Sequence, residues 1–377
     1  MHNAAIRWGI LGTGAIAQAF AQGLKALPDA QLVAIGSRSL KTAQEFATAL
    51  DVPKAYGSYE ELVRDPNIDI VYIATPHQRH RDDCLLVLNA NKAVLCEKPF
   101  ASNAAQAQEV INLAREKKLF CMEAMWMRFM PLILEVRKLI DQNLIGEVGL
   151  LTADNGRATL YDPSHRMFQP AKGGSCLLDR GVYGLALAQG LLGKPQATVS
   201  QVTCSDSGVD EQVGMVLRYA SGAIAILASS LTAHTSNEAV ITGTHGSIRI
   251  HAPFYNPTRV TIWTRPPRAP VETKPACKPS RKKKLVDRLK QSMLGQWLIS
   301  QIDESQWPRR KGKKTVLFQP HTGNGYHYQA AEAMRCIKRG EYTSRLMPLD
   351  DSLSTLKIID EIKTVKQLTS SKQPIIL

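Results

Sequence analysis

The sequence predicts an α/β protein with two domains. The first is expected to be a doubly wound parallel sheet, and the second an α+β domain with a large, mainly antiparallel open sheet that helices cover on one face. Length indicates two domains, because 377 residues exceed the roughly 250–300 that one hydrophobic core usually serves. Apolar runs alternate with amphipathic segments up to about residue 125, and segments with period-2 hydrophobicity follow.

The first domain, placed at residues 1–125, is predicted from short apolar runs with amphipathic segments between them. The runs are continuous rather than alternating, as expected for strands that are buried on both faces of a parallel sheet. Strands are expected at 6–11, 31–37, 69–74, 92–96 and 119–122. Helices are expected at 15–27, 41–50, 58–64, 78–90 and 103–118. This succession predicts helices on both faces of the sheet.

The second domain, placed at residues 126–377, changes to alternating hydrophobicity. Period-2 segments such as 212–219 and 223–231, with turn signals between them, predict an antiparallel sheet. Further strands are expected at 147–156, 258–264 and 315–319, and helices at 131–142, 177–192, 325–339 and 350–368. We expect the last two helices to pack back on the body of the protein.

The helices of the second domain suffice for only one face of its sheet, which predicts self-association. Val216, Ile224 and Ile226 would give a monomer a large exposed apolar patch, and such patches usually mark an interface. We therefore expect a homodimer with two-fold symmetry that buries the open face.

One basic segment carries most of the formal net charge of +14. Residues 265–314 hold 15 Lys or Arg and four acidic residues, a net charge of +11, so the rest of the chain is nearly neutral. The segment separates two expected strands and should therefore extend from a hairpin tip. Its composition predicts disorder at 266–284, and an apolar stripe predicts an amphipathic helix at 285–302.

The composition leaves two roles open for this basic insertion. It is either a solvated loop whose charge is incidental, or a segment that contacts an anionic membrane or other anions. Few aromatic residues lie among its lysines and no recognition motif is present, so specific binding of nucleic acid is not expected.

The remaining composition excludes several classes of protein. No apolar run approaches the ~20 residues that span a bilayer, and the first residues show no secretory signal pattern. The seven cysteines are scattered without a CxxC pair, which indicates neither a zinc site nor a disulfide framework. We therefore expect a cytoplasmic protein without a metal ion.

A glycine-rich turn after the first strand predicts a dinucleotide site. The segment from Gly12 to Ala17 reads GxGxxA and opens a helix, which is the pattern of a Rossmann domain. Gly12 permits the tight turn, Gly14 lets a pyrophosphate approach the backbone, and Ala17 allows close packing of helix and strand. The residues expected at the cofactor are Gly12, Thr13, Gly14, Ala15 and Ile16.

The end of the second strand predicts the choice of cofactor. Enzymes that use NAD usually carry Asp or Glu here for the ribose hydroxyls, whereas this chain has Ser37 and Arg38. An arginine binds a ribose 2′-phosphate, and its guanidinium can also stack on adenine. We therefore expect NADP rather than NAD.

Three further residues are candidates for the chemistry. Lys98 follows the fourth expected strand, at the sheet edge where ligands bind in open parallel sheets. Asp179 and Tyr183 are four residues apart in a predicted helix, which places both on one helical face. A lysine ammonium nearby would lower the pKa of the tyrosine and suit it to proton exchange. Each residue alone would be read as structural, but together they predict a catalytic site.

These motifs, in this order, resemble the glucose–fructose oxidoreductase / inositol dehydrogenase (Gfo/Idh/MocA) family. They are the GxGxxA turn, Glu97-Lys98-Pro99 and Asp179-x-Gly-x-Tyr183. Residues 122–129, 246–250, 325–327 and 347–350 resemble, more narrowly, the branch of dimeric dihydrodiol dehydrogenases and NADP-dependent D-xylose 1-dehydrogenases. The resemblance covers about residues 6–264 and 315–365 and does not include the basic insertion.

The resemblance implies roles for these residues. Lys98 would lie between nicotinamide and substrate, Tyr183 would be the general acid/base, and Asp179 would orient the substrate and Lys98. A cis peptide bond between Lys98 and Pro99 is also implied. The residues implied to line the cofactor are Thr75, Pro76, His77, His80 and Glu97, and those near the substrate are Trp126 and Arg128.

The leading functional hypothesis is reversible NADP-linked oxidation of a sugar, a polyol or a vicinal diol. One alternative is a sugar oxidoreductase that holds its cofactor tightly through a two-sugar cycle. Another is a non-catalytic NADP-binding sensor, which the presence of all three catalytic candidates disfavours.

Overall fold

The first sheet positions a cleft at its carboxyl edge. The computed structural model describes residues 5–265, 292–293 and 312–370. Six parallel strands form the first sheet: β1 (Ile6–Leu11), β2 (Ala30–Gly36), β3 (Lys54–Tyr56), β4 (Ile70–Ile73), β5 (Ala93–Glu97) and β6 (Cys121–Ala124). Their order is β3-β2-β1-β4-β5-β6, so the winding direction reverses between β1 and β4. Ligands of doubly wound sheets bind at this switch point.

Helices cover both faces of this sheet, as the alternating pattern predicts. They are α1 (Ala15–Leu24), α2 (Leu40–Leu50), α3 (Tyr59–Arg64), α4 (His80–Asn89) and α5 (Ala104–Lys117). Every residue of β4, β5 and β6 is buried, which explains why their sequences are continuous apolar runs. No hydrophobic pattern in the sequence predicts β3, because this edge strand has only three residues.

The second domain contains a mixed eight-stranded sheet. Its strands are β7 (Val148–Gly156), β8 (Ala197–Cys204), β9 (Asp210–Arg218), β10 (Ile224–Ser230), β11 (Ala239–Gly243), β12 (Gly246–Ile250), β13 (Arg259–Thr264) and β14 (Lys313–Phe318). The order is β14-β13-β12-β11-β7-β10-β9-β8. Neighbouring strands are antiparallel except β7 and β10, which run parallel. The prediction of a mainly antiparallel sheet is confirmed.

Four helices complete the described part of this domain: α6 (Pro131–Asp141), α7 (Val182–Leu192), α8 (Tyr326–Lys338) and α9 (Leu349–Ser370). The last two contact the first domain. The Asn324 side chain, just before α8, donates to the Ala19 carbonyl oxygen of α1 at 2.7 Å. Asp360 of α9 accepts from the Ala104 amide at the start of α5 at 2.8 Å. The two domains therefore share a helical contact surface. Among the described residues, no helix is long and apolar enough to cross a membrane.

One face of the second sheet is open and partly apolar. Val199, Val216 and Ile226 are in register on three neighbouring strands, and their exposed fractions are 69%, 44% and 46%. The alternate residues of the same strands, such as Met215 and Leu227, are buried. The expected open face is therefore present in the structure.

The strands on either side of the basic insertion form a hairpin. β13 and β14 pair antiparallel, with Thr264 opposite Lys313. The disorder predicted at 266–284 and the helix predicted at 285–302 lie outside the described residues, apart from residues 292 and 293. The insertion therefore joins the second sheet through one hairpin whose strands pair on either side of it.

We expect that the insertion can be removed without loss of the fold. Replacing residues 266–311 by an Asn-Gly turn should leave cooperative thermal unfolding intact. The free energy of unfolding should be unchanged or higher, because halving a loop lowers its closure cost by about 0.6 kcal/mol. Loss of cooperative unfolding would contradict this. Flotation of both proteins with anionic vesicles at low salt then tests the membrane role: equal flotation would eliminate it.

Candidate active site

The turn between β1 and α1 has the geometry of a phosphate cradle. Gly12 has φ +102°, and a Cβ there would lie 2.8 Å from the Ala74 carbonyl oxygen, so only glycine fits. A Cβ on Gly14 would meet nothing within 4 Å, because this residue faces open space at the start of α1. The free N–H groups of a helix N-terminus favour anions. The chain therefore offers a fitting site for a dinucleotide pyrophosphate.

A cleft of about 550 Å³ lies against this turn and contains most of the predicted site residues. It is lined by Gly12, Thr13, Gly14, Ile16, Ser37, Arg38, Thr75, Pro76, His77, His80, Glu97, Lys98, Trp126, Asp179 and Tyr183. Ala15 is exposed as the first residue of α1 and is not in the lining. The structure thus brings together residues from the first domain and residues from the π turn and helix at 177–192 of the second.

The end of β2 supplies the residues that could distinguish the two cofactors. Ser37 is buried, and its amide donates to the Tyr56 carbonyl oxygen at 3.1 Å, whereas Arg38 is exposed. Tyr59, the first residue of α3, also lines the cleft. Burial raises the pKa of Tyr59, and the charge of Arg38 opposes this shift. Arg38 therefore acts electrostatically on Tyr59. Tyr59 was not among the residues that the sequence marked as part of the site.

The turn after β4 is held by buried polar contacts. Thr75 Oγ1 donates to Asp83 Oδ2 at 2.7 Å. Both ring nitrogens of His80 lie near carbonyl oxygens, at 2.9 Å from Thr75 and 2.8 Å from Pro99. Burial lowers the pKa of His80, and these two carbonyl groups oppose the shift. His80 therefore connects the turn after β4 to the Lys98–Pro99 turn and has a structural role.

His77 faces the loop that precedes α7. A Cβ on Gly173 would lie 2.3 Å from the His77 ring, so the loop backbone packs directly on this side chain. Burial lowers the pKa of His77 to about 4. The ring is therefore neutral at physiological pH and contributes shape and hydrogen bonding rather than charge.

Lys98 lies where the two domains meet. Its Nζ donates to the Asp179 carbonyl oxygen at 2.9 Å and lies 3.6 Å from Asp179 Oδ1 and 4.9 Å from the Tyr183 ring centroid. Burial alone would lower the pKa of Lys98, but Tyr183 and Asp179 outweigh it and the pKa is raised. The Lys98–Pro99 peptide bond is cis, as the resemblance implies. The ammonium group is thus charged and held in place.

Glu97 supports the same turn from behind. Its carboxyl accepts hydrogen bonds from the Tyr72 hydroxyl and from the Lys98 amide. Burial raises the pKa of Glu97 to about 7, although the Tyr72 hydrogen bond and the Lys98 charge oppose this shift. The group is therefore only partly charged near neutral pH.

Asp179 lies in a π-helical turn, Leu177–Gly181, that leads into α7. The i, i+4 spacing predicts a regular helix here, and that prediction is wrong for this turn. π turns are rare and often occur at functional sites. Asp210 accepts hydrogen bonds from Ser175 Oγ and from the Leu177 amide, which anchors the turn to β9. Burial would raise the pKa of Asp179, but Lys98 and two arginines lower it.

Tyr183 lies in an aromatic wall. Its hydroxyl oxygen accepts a hydrogen bond from Trp126 Nε1 at 3.1 Å, and its ring centroid is 5.1 Å from that of Tyr255. Trp126 in turn packs against Tyr326, with ring centroids 4.9 Å apart. Burial raises the pKa of Tyr183, and the charge of Lys98 opposes this. The hydroxyl is therefore protonated at neutral pH in the absence of ligands.

Arg128 is not at the cleft, which corrects the expectation that it contacts substrate. Its guanidinium is buried and donates to Asp351 Oδ2 of α9 at 2.7 Å. A Cβ on Gly190 of α7 would lie 3.2 Å from the same group. The sequence could not show this, because the partner carboxylate lies 223 residues further along the chain. Arg128 therefore holds α9 against the rest of the domain.

The cleft region also contains residues that the sequence did not mark as part of the site, among them Tyr59, Arg166, Tyr255 and Tyr326. Tyr326 lies in a motif that carries the resemblance, so a signal existed for it. The others lie at a helix start or in loops, where no local pattern marks them. Among the described residues, no group of three or more His, Cys, Asp or Glu could hold a metal ion.

Comparison with known proteins agrees with this architecture. Residues 6–125 match the family model described as "Oxidoreductase family, NAD-binding Rossmann fold", and residues 133–249 match "GFO/IDH/MocA C-terminal domain". The chain is 42% identical to trans-1,2-dihydrobenzene-1,2-diol dehydrogenase of Danio rerio over 95% of its length and 96% of the relative's. It is 31% identical to the protein of that name from Homo sapiens, with the same coverage.

Two solved structures share the fold. One is a 3-ketoreductase from Actinomadura kijaniata in complex with TDP-benzene and NADP, with TM-score 0.75, 22% identity and coverage of 96% of this chain and 97% of that one. The other is an aldose–aldose oxidoreductase from Caulobacter crescentus complexed with glycerol, with TM-score 0.76, 21% identity and coverage of 97% and 98%. On the strength of the family models and the curated relatives, this chain belongs to the Gfo/Idh/MocA family of oxidoreductases.

Proposed function

We propose that this protein catalyses the reversible NADP-dependent oxidation of a secondary alcohol in a sugar, a polyol or a vicinal diol. The observation that carries this proposal is the meeting of two cavities. The cofactor cleft and a second cavity of about 380 Å³ share three lining residues, Lys98, Asp179 and Tyr183. A substrate in the second cavity would thus reach the nicotinamide end of the cleft beside a proton-exchanging group. The dihydrodiol dehydrogenase relatives and the aldose–aldose oxidoreductase fold support the substrate class.

The three shared residues divide the work of proton transfer. A dinucleotide held by the glycine turn would supply the hydride acceptor for the carbinol carbon, which becomes the carbonyl carbon. Tyr183 takes the hydroxyl proton in oxidation and returns it in reduction. The Lys98 ammonium stabilises negative charge on the phenolate oxygen or on the substrate oxygen. Asp179 holds that ammonium through its carbonyl oxygen and carboxylate.

The preference for NADP rests on the end of β2. Ser37 and Arg38 occupy the position where an NAD enzyme usually presents a carboxylate, and the described lining of the cleft has no acidic residue on β2 or the turn after it. Arg38 is exposed and available for a charge-assisted hydrogen bond to a 2′-phosphate. The glycine turn would hold the pyrophosphate whichever cofactor binds.

The open face of the second sheet supports a homodimer. The edge strand β14 also presents apolar side chains to solvent, because Val316 and Phe318 are 50% and 71% exposed. A two-fold axis through this face would bury the row of each subunit against the other. The six described cysteines are free thiols, five of them buried, which fits a cytoplasmic location.

Replacing Tyr183 by Phe tests the proton-transfer role. The change should lower kcat by roughly 10²–10⁴-fold, the usual scale for a general acid/base, while the Kd for NADP stays nearly constant. Wild-type kcat for oxidation should rise with pH as the buried phenol ionises, and kcat for reduction should fall over the same range. Steady-state kinetics across pH measure both effects.

Tyr342→Phe is the matched control, because that tyrosine is 51% exposed and lies outside both cavities. If Tyr183→Phe keeps more than about half of kcat, Tyr183 is structural and the assignment fails.

Arg38→Ala tests the choice of cofactor. We expect NADP binding to weaken by about 1.5–3 kcal/mol, the contribution of a hydrogen bond to a charged group, while NAD binding hardly changes. Fluorescence titration with both cofactors measures this, and Arg64→Ala, an exposed position at the end of α3, serves as the control. Equal losses for the two cofactors would show that Arg38 does not bind the 2′-phosphate.

Val216→Glu combined with Ile226→Glu tests the dimer. Charges in the centre of the apolar row should convert the dimer to a monomer, because an unpaired buried charge is costly. Sedimentation velocity at micromolar concentration measures the change, with Leu144→Glu, 39% exposed on another surface, as control. A wild-type protein that sediments as a monomer would refute the proposed interface.

A further inference from the structure

The second cavity is built from the sheet domain and is separate from the nucleotide end of the cleft. Besides the three shared residues, its lining is Asn155, Gly156, Arg157, Arg180, His234, Asn237 and Tyr255. Neither the glycine turn nor Arg38 contributes to it. Polar groups in this lining therefore face the molecule that reacts, rather than the phosphates of the cofactor.

Basic side chains outnumber acidic ones where the two cavities meet. The described linings contain four basic residues, Lys98, Arg157, Arg166 and Arg180, together with the carboxylate of Asp179. Arg166 Nη2 lies 3.5 Å from Asp179 Oδ1, and Lys98 Nζ lies 3.6 Å from the same atom. The other carboxyl of these linings, Glu97, is only partly charged near neutral pH, because burial raises its pKa to about 7. One carboxylate cannot balance four cations, so the site has a positive field.

Arg180 contributes a buried charge to this field. Its guanidinium donates to the Ser230 carbonyl oxygen, to the Arg157 carbonyl oxygen at 2.5 Å and to Thr159 Oγ1 at 3.1 Å. All these partners are neutral, and burial lowers the pKa of Arg180 while Asp179 opposes the shift. An anion in the adjacent cavity would compensate the cost of burying this cation.

Arg157 is the cation best placed to meet such an anion. Its backbone is held by the Arg180 hydrogen bond, and Asn237 fixes the preceding Gly156 through both its amide and its carbonyl group, at 3.1 and 3.0 Å. Its side chain is exposed at the cavity, and among the described residues no carboxylate forms an ion pair with it. The positive charge of Arg157 also lowers the pKa of the neighbouring Arg180. The arginine is therefore positioned but not neutralised.

We infer that the substrate is an acidic sugar or polyol, whose carboxylate or phosphate group binds Arg157 while its carbinol lies beside Lys98 and Tyr183. This inference rests on the proposed function and specifies the substrate class for the same site. Arginine binds both anionic groups through paired hydrogen bonds, so the shared chemistry is a planar or tetrahedral oxyanion. Arg157 is on this view a specificity-determining residue.

The test compares substrates that differ in one anionic group. Aldoses, the matching uronates and the matching sugar phosphates are assayed with NADP for kcat and KM. We expect kcat/KM to be at least about 10-fold higher for one anionic series, and Arg157→Met to lower it by roughly 10–100-fold, mainly through KM. Neutral sugars should change less than threefold, and Arg157→Lys should restore part of the loss. Arg339→Met, an exposed position after α8, is the control.

If the protein prefers uronates, the anionic group of the substrate is a carboxylate. If it prefers sugar phosphates, that group is a phosphate. If neutral sugars are oxidised as well as anionic ones and Arg157→Met affects both equally, the inference fails while the proposed function stands. If the wild-type protein oxidises neither class, the proposed function fails. In that case the inference is tested without turnover, by calorimetry on the NADP-saturated Tyr183→Phe protein with and without Arg157→Met. If Arg157→Met abolishes binding of the anionic compounds, the inference is supported. If binding is unchanged, the inference is overturned.

Discussion

The position of the Lys98 ammonium is the constraint on which the site depends. The lysine follows β5 of the first domain, while the groups it contacts, the Asp179 carbonyl oxygen, the Asp179 carboxylate and the Tyr183 ring, belong to the π turn and to α7 of the sheet domain. A buried cation needs such partners, so the interaction that holds this charge also joins the domains. The Asp210 contacts behind Asp179 and the His80 contacts behind Pro99 then hold each half of this junction in place.

The charges around this junction fall into two groups. On the side of the first domain, the backbone N–H groups of the glycine turn and the exposed side chain of Arg38 would, on the proposed function, meet the phosphate groups of the cofactor. On the side of the sheet domain, Arg157 and Arg180 line the second cavity, and the hydrogen-bond acceptors of the Arg180 guanidinium are neutral groups. Because Asp179 lies between the groups and already faces two cations, it cannot neutralise both. The electrostatics of the site therefore depend on what binds as well as on the chain itself.

Local patterns sufficed to predict the parts of the site that a short segment encodes. The glycine turn, the end of β2, Lys98 and the pair Asp179 and Tyr183 each follow from strand–turn–helix context, and each lines the cleft. Long-range partners were beyond such reasoning. Arg128 is neutralised by a carboxylate on α9, and Tyr255 and Arg157 reach the site from loops and strand ends whose positions depend on the completed sheet. The parallel pairing of β7 with β10 was missed for the same reason, since period-2 hydrophobicity does not specify the partner strand.

The central position of β7 has a consequence for how the protein folds. β8 to β10 and β11 to β14 are two runs of sequential antiparallel neighbours, each joined largely by local contacts, whereas β7 precedes both in the chain and pairs with the last strand of one and the first strand of the other. Non-local pairings of this kind pay their loop-closure entropy before they gain contacts. We therefore expect the two meanders to form before β7 unites them. Because Asn155 and Arg157 lie at the end of β7, we expect the second cavity to be complete only once this non-local pairing has formed.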